Sequence, residues 1–193
     1  MDALPFALRW LVEPVASTDE AGTLTIEAGP RTDMFVSPQG DPPALNAPAL
    51  VGGPVAGDFT LSACVQVPFA ASFDAGALLL YGDASRWAKL CFEFSPQREA
   101  MVVSVVTRGV SDDANGAVVA GDTVWLRVAR VGSAYAFHSS LDGETWSFAR
   151  HFALDGELEA GFVAQSPTGE GCAVRFTDVR FEQRTLGDLR DGS

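Results

Sequence analysis

The residues best suited to chemistry lie in one short run, Arg86-Trp87-Ala88-Lys89-Leu90-Cys91-Phe92-Glu93-Phe94. Ala88, Leu90, Phe92 and Phe94 alternate with Trp87, Lys89, Cys91 and Glu93, and a period of two puts each set on its own face of a β-strand. The first set is core. The second puts an indole, an ammonium and a carboxylate in one row, about 7 Å apart per two-residue step. This combination suits a sugar-like ligand, with an aromatic platform under the ring and charged groups bonding the hydroxyls. Trp87 would stack, and Lys89 and Glu93 would make the polar bonds. The alternative is a Lys89–Glu93 ion pair on a solvated sheet with Trp87 covering an edge, which is worth little energy.

Glycoside hydrolysis would need two carboxyls flanking the scissile bond, about 5–5.5 Å apart for retention or about 6.5–9.5 Å for inversion. Glu93 is the only acid on its strand. A partner would have to come from Asp33, Asp74, Asp83, Glu99 or Asp112. Non-catalytic binding is therefore favoured, with a hydrolase or lyase using Glu93 as acid or base as the alternative. No residue is assigned as catalytic. Asp33, Asp112 and His138 are further candidates for the ligand groove.

Two motifs have simpler readings. Asp112-Asp113-Ala114-Asn115-Gly116 offers hard oxygens but lacks the D-x-D-x-D-G run of an EF-hand, so it reads as a turn without a metal. Ser140-Leu141-Asp142-Gly143-Glu144-Thr145-Trp146 is similar to the Asp-box turn of sialidases, one residue short. It reads as an Asp-Gly hairpin with Trp146 packed underneath.

The elements that position these residues are strands. Ala7 to Val12, Thr23 to Ala28, Phe59 to Val67, Ala77 to Tyr81, Trp87 to Phe94 and Met101 to Thr107 are short and rich in Val, Leu and aromatics. Thr123 to Val131, Ala134 to Ser140, Trp146 to Phe152, Ala160 to Gln165 and Ala173 to Glu182 continue the series. Thr123 to Phe152 reads as a three-stranded meander, turning first at Gly132-Ser133. With 19 glycines, 11 prolines and no sustained 3.6-residue period, long helices are excluded. The Pro-rich stretch from Ser37 to Pro54 reads as a long surface loop, and residues 184–193 as a fraying tail.

The 193 residues suit one all-β sandwich or barrel domain, with 47% hydrophobic and 20% charged residues. Thirteen Lys+Arg against 25 Asp+Glu give a net charge of −12, which repels nucleic acid and anionic membranes. Three cysteines without a C-x-x-C pair read as buried free thiols in a reducing compartment. With no secretory signal pattern and no apolar run near 18 residues, a cytoplasmic location is expected. No cofactor is expected.

Several segments together resemble a known family. They are Thr32-Asp33-Met34-Phe35, Pro38-Gln39-Gly40, Ala47-Pro48-Ala49-Leu50, Gly57-Asp58-Phe59-Thr60-Leu61, Phe73-Asp74-Ala75-Gly76-Ala77-Leu78-Leu79, the strand from Trp87, and Ser104 to Thr107 with Ser111-Asp112. The chain is similar, from about Arg9 to Phe181, to the domain family of unknown function that includes the yeast regulator-of-enolase protein. The resemblance implies a concanavalin A-like β-sandwich, a jelly roll of two curved antiparallel sheets with a groove on the concave one. In related folds that groove binds glycans, and several relatives are glycosidases. An enzyme-regulating protein-interaction module is a further alternative by the same analogy. Family members often carry an aromatic after the Ser-Asp pair, where this chain has Asp113.

Overall fold

The computed structural model describes residues 4–193, and every regular element among them is a strand. In chain order these are β1 (Leu8–Val12), β2 (Ala16–Glu20), β3 (Thr23–Ala28), β4 (Met34–Phe35), β5 (Ala44–Leu45), β6 (Ala49–Gly52), β7 (Phe59–Gln66) and β8 (Ala75–Asp83). Then follow β9 (Arg86–Phe94), β10 (Ala100–Arg108), β11 (Val110–Val118), β12 (Thr123–Val131), β13 (Ala134–Ser140), β14 (Ser147–Ala153), β15 (Glu159–Gln165) and β16 (Cys172–Glu182). The front sheet runs β1-β6-β15-β8-β9-β10-β11, and the back sheet β14-β13-β12-β7-β16-β3-β2. Neighbouring strands in both sheets are antiparallel. No helix among the described residues is long and apolar enough to cross a membrane.

The alternating sequence pattern builds the core. Ala88, Leu90 and Phe92 of β9 face Leu61, Ala63 and Val65 of β7 and Leu126 and Val128 of β12 within one buried cluster. Phe162 of β15 and Phe176 of β16 meet across the sheets with ring centroids 5.0 Å apart. Each such side chain contributes about 1.5–3 kcal/mol by leaving water. Gly132, with a positive φ of 60°, closes the two-residue turn between β12 and β13, where Val131 pairs with Ala134.

Three expectations change. The stretch from Ser37 to Pro54 is more than a surface loop: it holds β5 and the buried strand β6. Asp112 to Gly116 is no turn but part of β11, paired with β10 along the sheet edge. Its exposed carboxylates guard that edge against pairing with another chain. Residues 186–193, expected to fray, dock on the outer face of the back sheet: Leu186 is buried, and Gly192 and Leu189 bond to Arg127 and His138.

The Asp-Gly hairpin exists, but its loop is longer than two residues, because Ser139 pairs with Ser147. Asp142 accepts bonds from the Glu144 and Thr145 amides at 2.8 and 2.7 Å and organises that loop.

The outer face of the front sheet is roofed. Met34 and Ala47 from the β4–β5 segment bury against Trp87, Leu79, Cys91 and Val103 in a second apolar cluster. Hydrogen bonds pin the roof at both ends. The Val36 amide donates to Ser111 Oγ, and the Ser111 amide to the Val36 carbonyl, each at 2.9 Å. At the other end Thr32 pairs with Ser166. Asp33 and Asn46 tie the strands of the hairpin together through Asn46 Oδ1 and the Asp33 carbonyl.

Candidate functional site

Antiparallel register decides which side chains share the roofed face, since directly opposed residues point the same way. One row reads Gln165, Ala75, Glu93, Met101 across β15, β8, β9 and β10. Another reads Leu79, Lys89, Val105, Asp113 across β8, β9, β10 and β11. The roof and the loop before β8 leave a cavity of about 360 Å³ over these rows. That lies at the small end of the range for ligand sites, roughly 300–1,000 Å³. Lys89, Glu93, Gln165, Asp33 and Asp113 supply its polar lining, and Phe35, Phe73, Val103 and Val105 its apolar lining.

Lys89 is buried, with 2% of its side chain exposed. Its Nζ donates to Gln165 Oε1 at 2.6 Å and lies 3.9 Å from Asp33 Oδ1. Gln165 is fixed in turn, because its Nε2 donates to the Phe73 carbonyl at 3.3 Å. Glu93 is half-buried between the protein walls, and burial pushes its carboxyl up to about 7. Lys89 opposes this shift, while the negative charges of Asp33 and Asp113 add to it. A carboxyl near 7 can donate or accept a proton at neutral pH.

Phe73 is the aromatic that the cavity presents. It is 37% exposed and has a left-handed φ of 70°, uncommon for a bulky residue. The surroundings enforce that conformation. Its amide donates to the Phe94 carbonyl at 2.7 Å. The next residue, Asp74, is fully buried; it accepts from the Ala70 and Ala71 amides and from Ser166 Oγ at 2.6 Å. Asp74 thus serves the loop and not the cavity. Strain held in this way by several bonds is typical of ligand clamps.

Lys89, Glu93 and Asp33 therefore come together as expected, and three other candidates do not. Trp87 is 0% exposed and lies in the apolar cluster under the roof, so it offers no stacking surface. Its ring sits 5.8 Å from Lys89 Nζ and helps to wall in the ammonium. Asp112 pairs with Val106, on the face opposite to Asp113, and makes a 3.0 Å ion pair with Arg150. One step of parity excludes Asp112 and admits Asp113.

His138 lies in the back sheet, fully buried beneath the docked tail, with Nε2 2.6 Å from the Leu189 carbonyl. Burial lowers its pKa to about 4, so it stays neutral at pH 7. Arg127, on the same face, stacks on Trp146 at 4.2 Å. All three cysteines are free and buried, and burial pushes the Cys91 and Cys172 thiols up to about 12, leaving them inert.

Gln165, Asp113, Phe35 and Phe73 escaped the sequence reading. Gln165 had a signal: Gly161 and Val163 alternate with Ala160, Phe162 and Ala164, so a lone amide ends an apolar face. Asp113 stands where the family pattern often has an aromatic. Nothing local marks Phe73, because its exposure depends on the Asp74 bonds.

Two facing antiparallel sheets of this order define a jelly-roll sandwich. The chain belongs to the family described as "Protein of unknown function (DUF1349)", which matches residues 10–184. It is 28% identical over 180 residues to "Regulation of enolase protein 1" of Saccharomyces cerevisiae, covering 88% of this chain and 86% of that protein. A solved structure of a functionally unknown Saccharomyces cerevisiae protein superposes with a TM-score of 0.83 at 27% identity, over 92% of this chain and 97% of that one. The GH43 BlXynB protein from Bacillus licheniformis shares the fold, with a TM-score of 0.73 at 13% identity over 92% of this chain and 37% of that one.

Proposed function

We propose that the protein binds a carbohydrate or sugar-like small molecule in the cavity over Lys89 and Glu93, without transforming it. The observation that carries this reading is the composition of the cavity. Phe35 and Phe73 line the cavity together with polar groups from Lys89, Gln165, Glu93, Asp33 and Asp113, of which Lys89 and Gln165 are held by hydrogen bonds. Sugars need that pairing of aromatic faces with directional polar groups. The jelly roll it shares with GH43 proteins agrees with the reading at the level of fold. Three buried free thiols fit a reducing, cytoplasmic setting.

The test is ligand-observed NMR of the full chain against a panel of mono- and disaccharides, with Phe73→Gly and Glu93→Ala alongside. Phe73→Gly removes the ring and relieves the left-handed backbone, so binding should be lost with stability within about 1 kcal/mol of the parent. Unchanged sugar binding in both variants would move the site elsewhere.

One observation favours a hydrolytic second reading. Glu93, with a pKa near 7, shares its cavity with two further carboxylates, Asp33 and Asp113. A raised acid beside an ionised one is the pairing that glycosidases use. Release of nitrophenol from aryl glycosides, abolished by Glu93→Gln, would replace binding by catalysis. The yeast relative's name suggests a regulatory protein contact instead. Among the described residues the exposed large hydrophobics are Val15, Phe73, Val110, Val118 and Leu141, and of these Phe73 lines the cavity.

A further inference from the structure

Resting on the binding reading above, we infer that the ligand is cationic: an amino sugar or a similar polyhydroxylated amine, its ammonium held by Glu93 and Asp113. The cavity holds three carboxylates and one ammonium. That ammonium is already committed, since Lys89 donates to Gln165 and lies beside Asp33. Asp33 is engaged too, accepting from the Met34 amide at 2.7 Å. Among the described residues no hydrogen bond or ion pair reaches the carboxylates of Glu93 and Asp113, though both line the cavity.

Carboxylates that outnumber the cations of a small site repel one another and are poorly solvated, and a further cation from outside relieves both penalties. An ammonium is also attracted to the faces of Phe35 and Phe73. A uronate or a sugar phosphate would add negative charge to a site that already carries an excess, in a chain of net charge −12. A bare metal ion fits less well, because no three His, Cys, Asp or Glu side chains among the described residues converge to hold one.

The experiment is isothermal titration of the full chain with D-glucosamine, D-glucose and D-glucuronate at pH 7.5, repeated with Asp113→Asn. The expected result is that glucosamine binds at least about tenfold more tightly than glucose, that glucuronate does not bind, and that Asp113→Asn removes most of the glucosamine preference. Glucose or glucuronate binding as tightly as glucosamine overturns the charge assignment alone. Loss of the preference through Asp33→Asn, with Asp113→Asn silent, overturns the assigned carboxylates. If none of the three sugars binds, the carbohydrate reading falls and this inference falls with it.

Discussion

Lys89 and Gln165, 76 residues apart in sequence, meet at 2.6 Å in the interior of the front face. The bond joins β9 to β15 across the intervening β8. It carries on through Gln165 Nε2 to the Phe73 carbonyl, so one amide links the buried ammonium to the loop that presents the exposed ring. The polar floor of the cavity and its aromatic lip are therefore mechanically connected.

That connection has an energy that can be measured. Lys89→Met keeps the aliphatic stem but leaves Gln165 Oε1 without its donor, at a cost of about 1–3 kcal/mol. In a double-mutant cycle with Gln165→Leu the two losses should fall short of adding, with a coupling of about 1–2 kcal/mol by urea denaturation. Strict additivity would mean that the short contact contributes nothing.

Glu93 makes stability depend on pH. Its carboxyl titrates near 7 in the folded chain and near 4.5 when unfolded. Between those values the folded chain keeps a proton that the unfolded chain has lost. This contribution to stability is thus full below pH 4.5, declines as pH rises, and is gone above pH 7. Glu93→Gln avoids the decline. It should be more stable than the parent by roughly 2–3 kcal/mol at pH 8 and equal to it at pH 4.5. An equal gap at both pH values would place the titration elsewhere.

Trp87→Ala should cost about 3–5 kcal/mol, the range for emptying a large buried side chain. Thermal and urea unfolding read this directly. A near-neutral Trp87→Ala would return the indole to the surface role that its sequence pattern suggests.

The docked tail sets the state of His138. In the parent, burial holds the imidazole pKa near 4, against the pull of the Leu189 carbonyl. Ending the chain after Thr185 removes that cover, and the pKa should rise toward 6.5, followed by NMR of the imidazole Cε1–H with circular dichroism to confirm the fold. The parent also loses stability as pH falls from 6.5 to 4, because only the unfolded chain takes up the proton; the shortened chain should lose less. A histidine still titrating near 4 in a folded, shortened chain would assign its burial to the sheet alone.

Most of the fold was legible because strand periodicity is local. β3, β12 and β13 match the expected bounds, and the two faces of β9 separate as Ala88, Leu90 and Phe92 against Trp87, Lys89 and Glu93. Of the strands that escaped notice, β2 and β11 are polar sheet edges, where pairing with a neighbour supplies the order that hydrophobic pattern does not.

The sequence by itself determined an all-β chain, sandwich or barrel, and put Lys89 and Glu93 on one face of one strand, since alternation needs only neighbouring residues. Only the tertiary structure decided what lies above that face. The β4–β5 roof covers Trp87 and leaves Lys89 and Glu93 beside a cavity. Register along the edge brings Asp113 in and turns Asp112 away, and the back sheet keeps His138 beneath the tail. Each of these outcomes joins segments far apart in the chain. Such contacts are fixed by packing and pairing over long separations, and no local pattern of residue types encodes them.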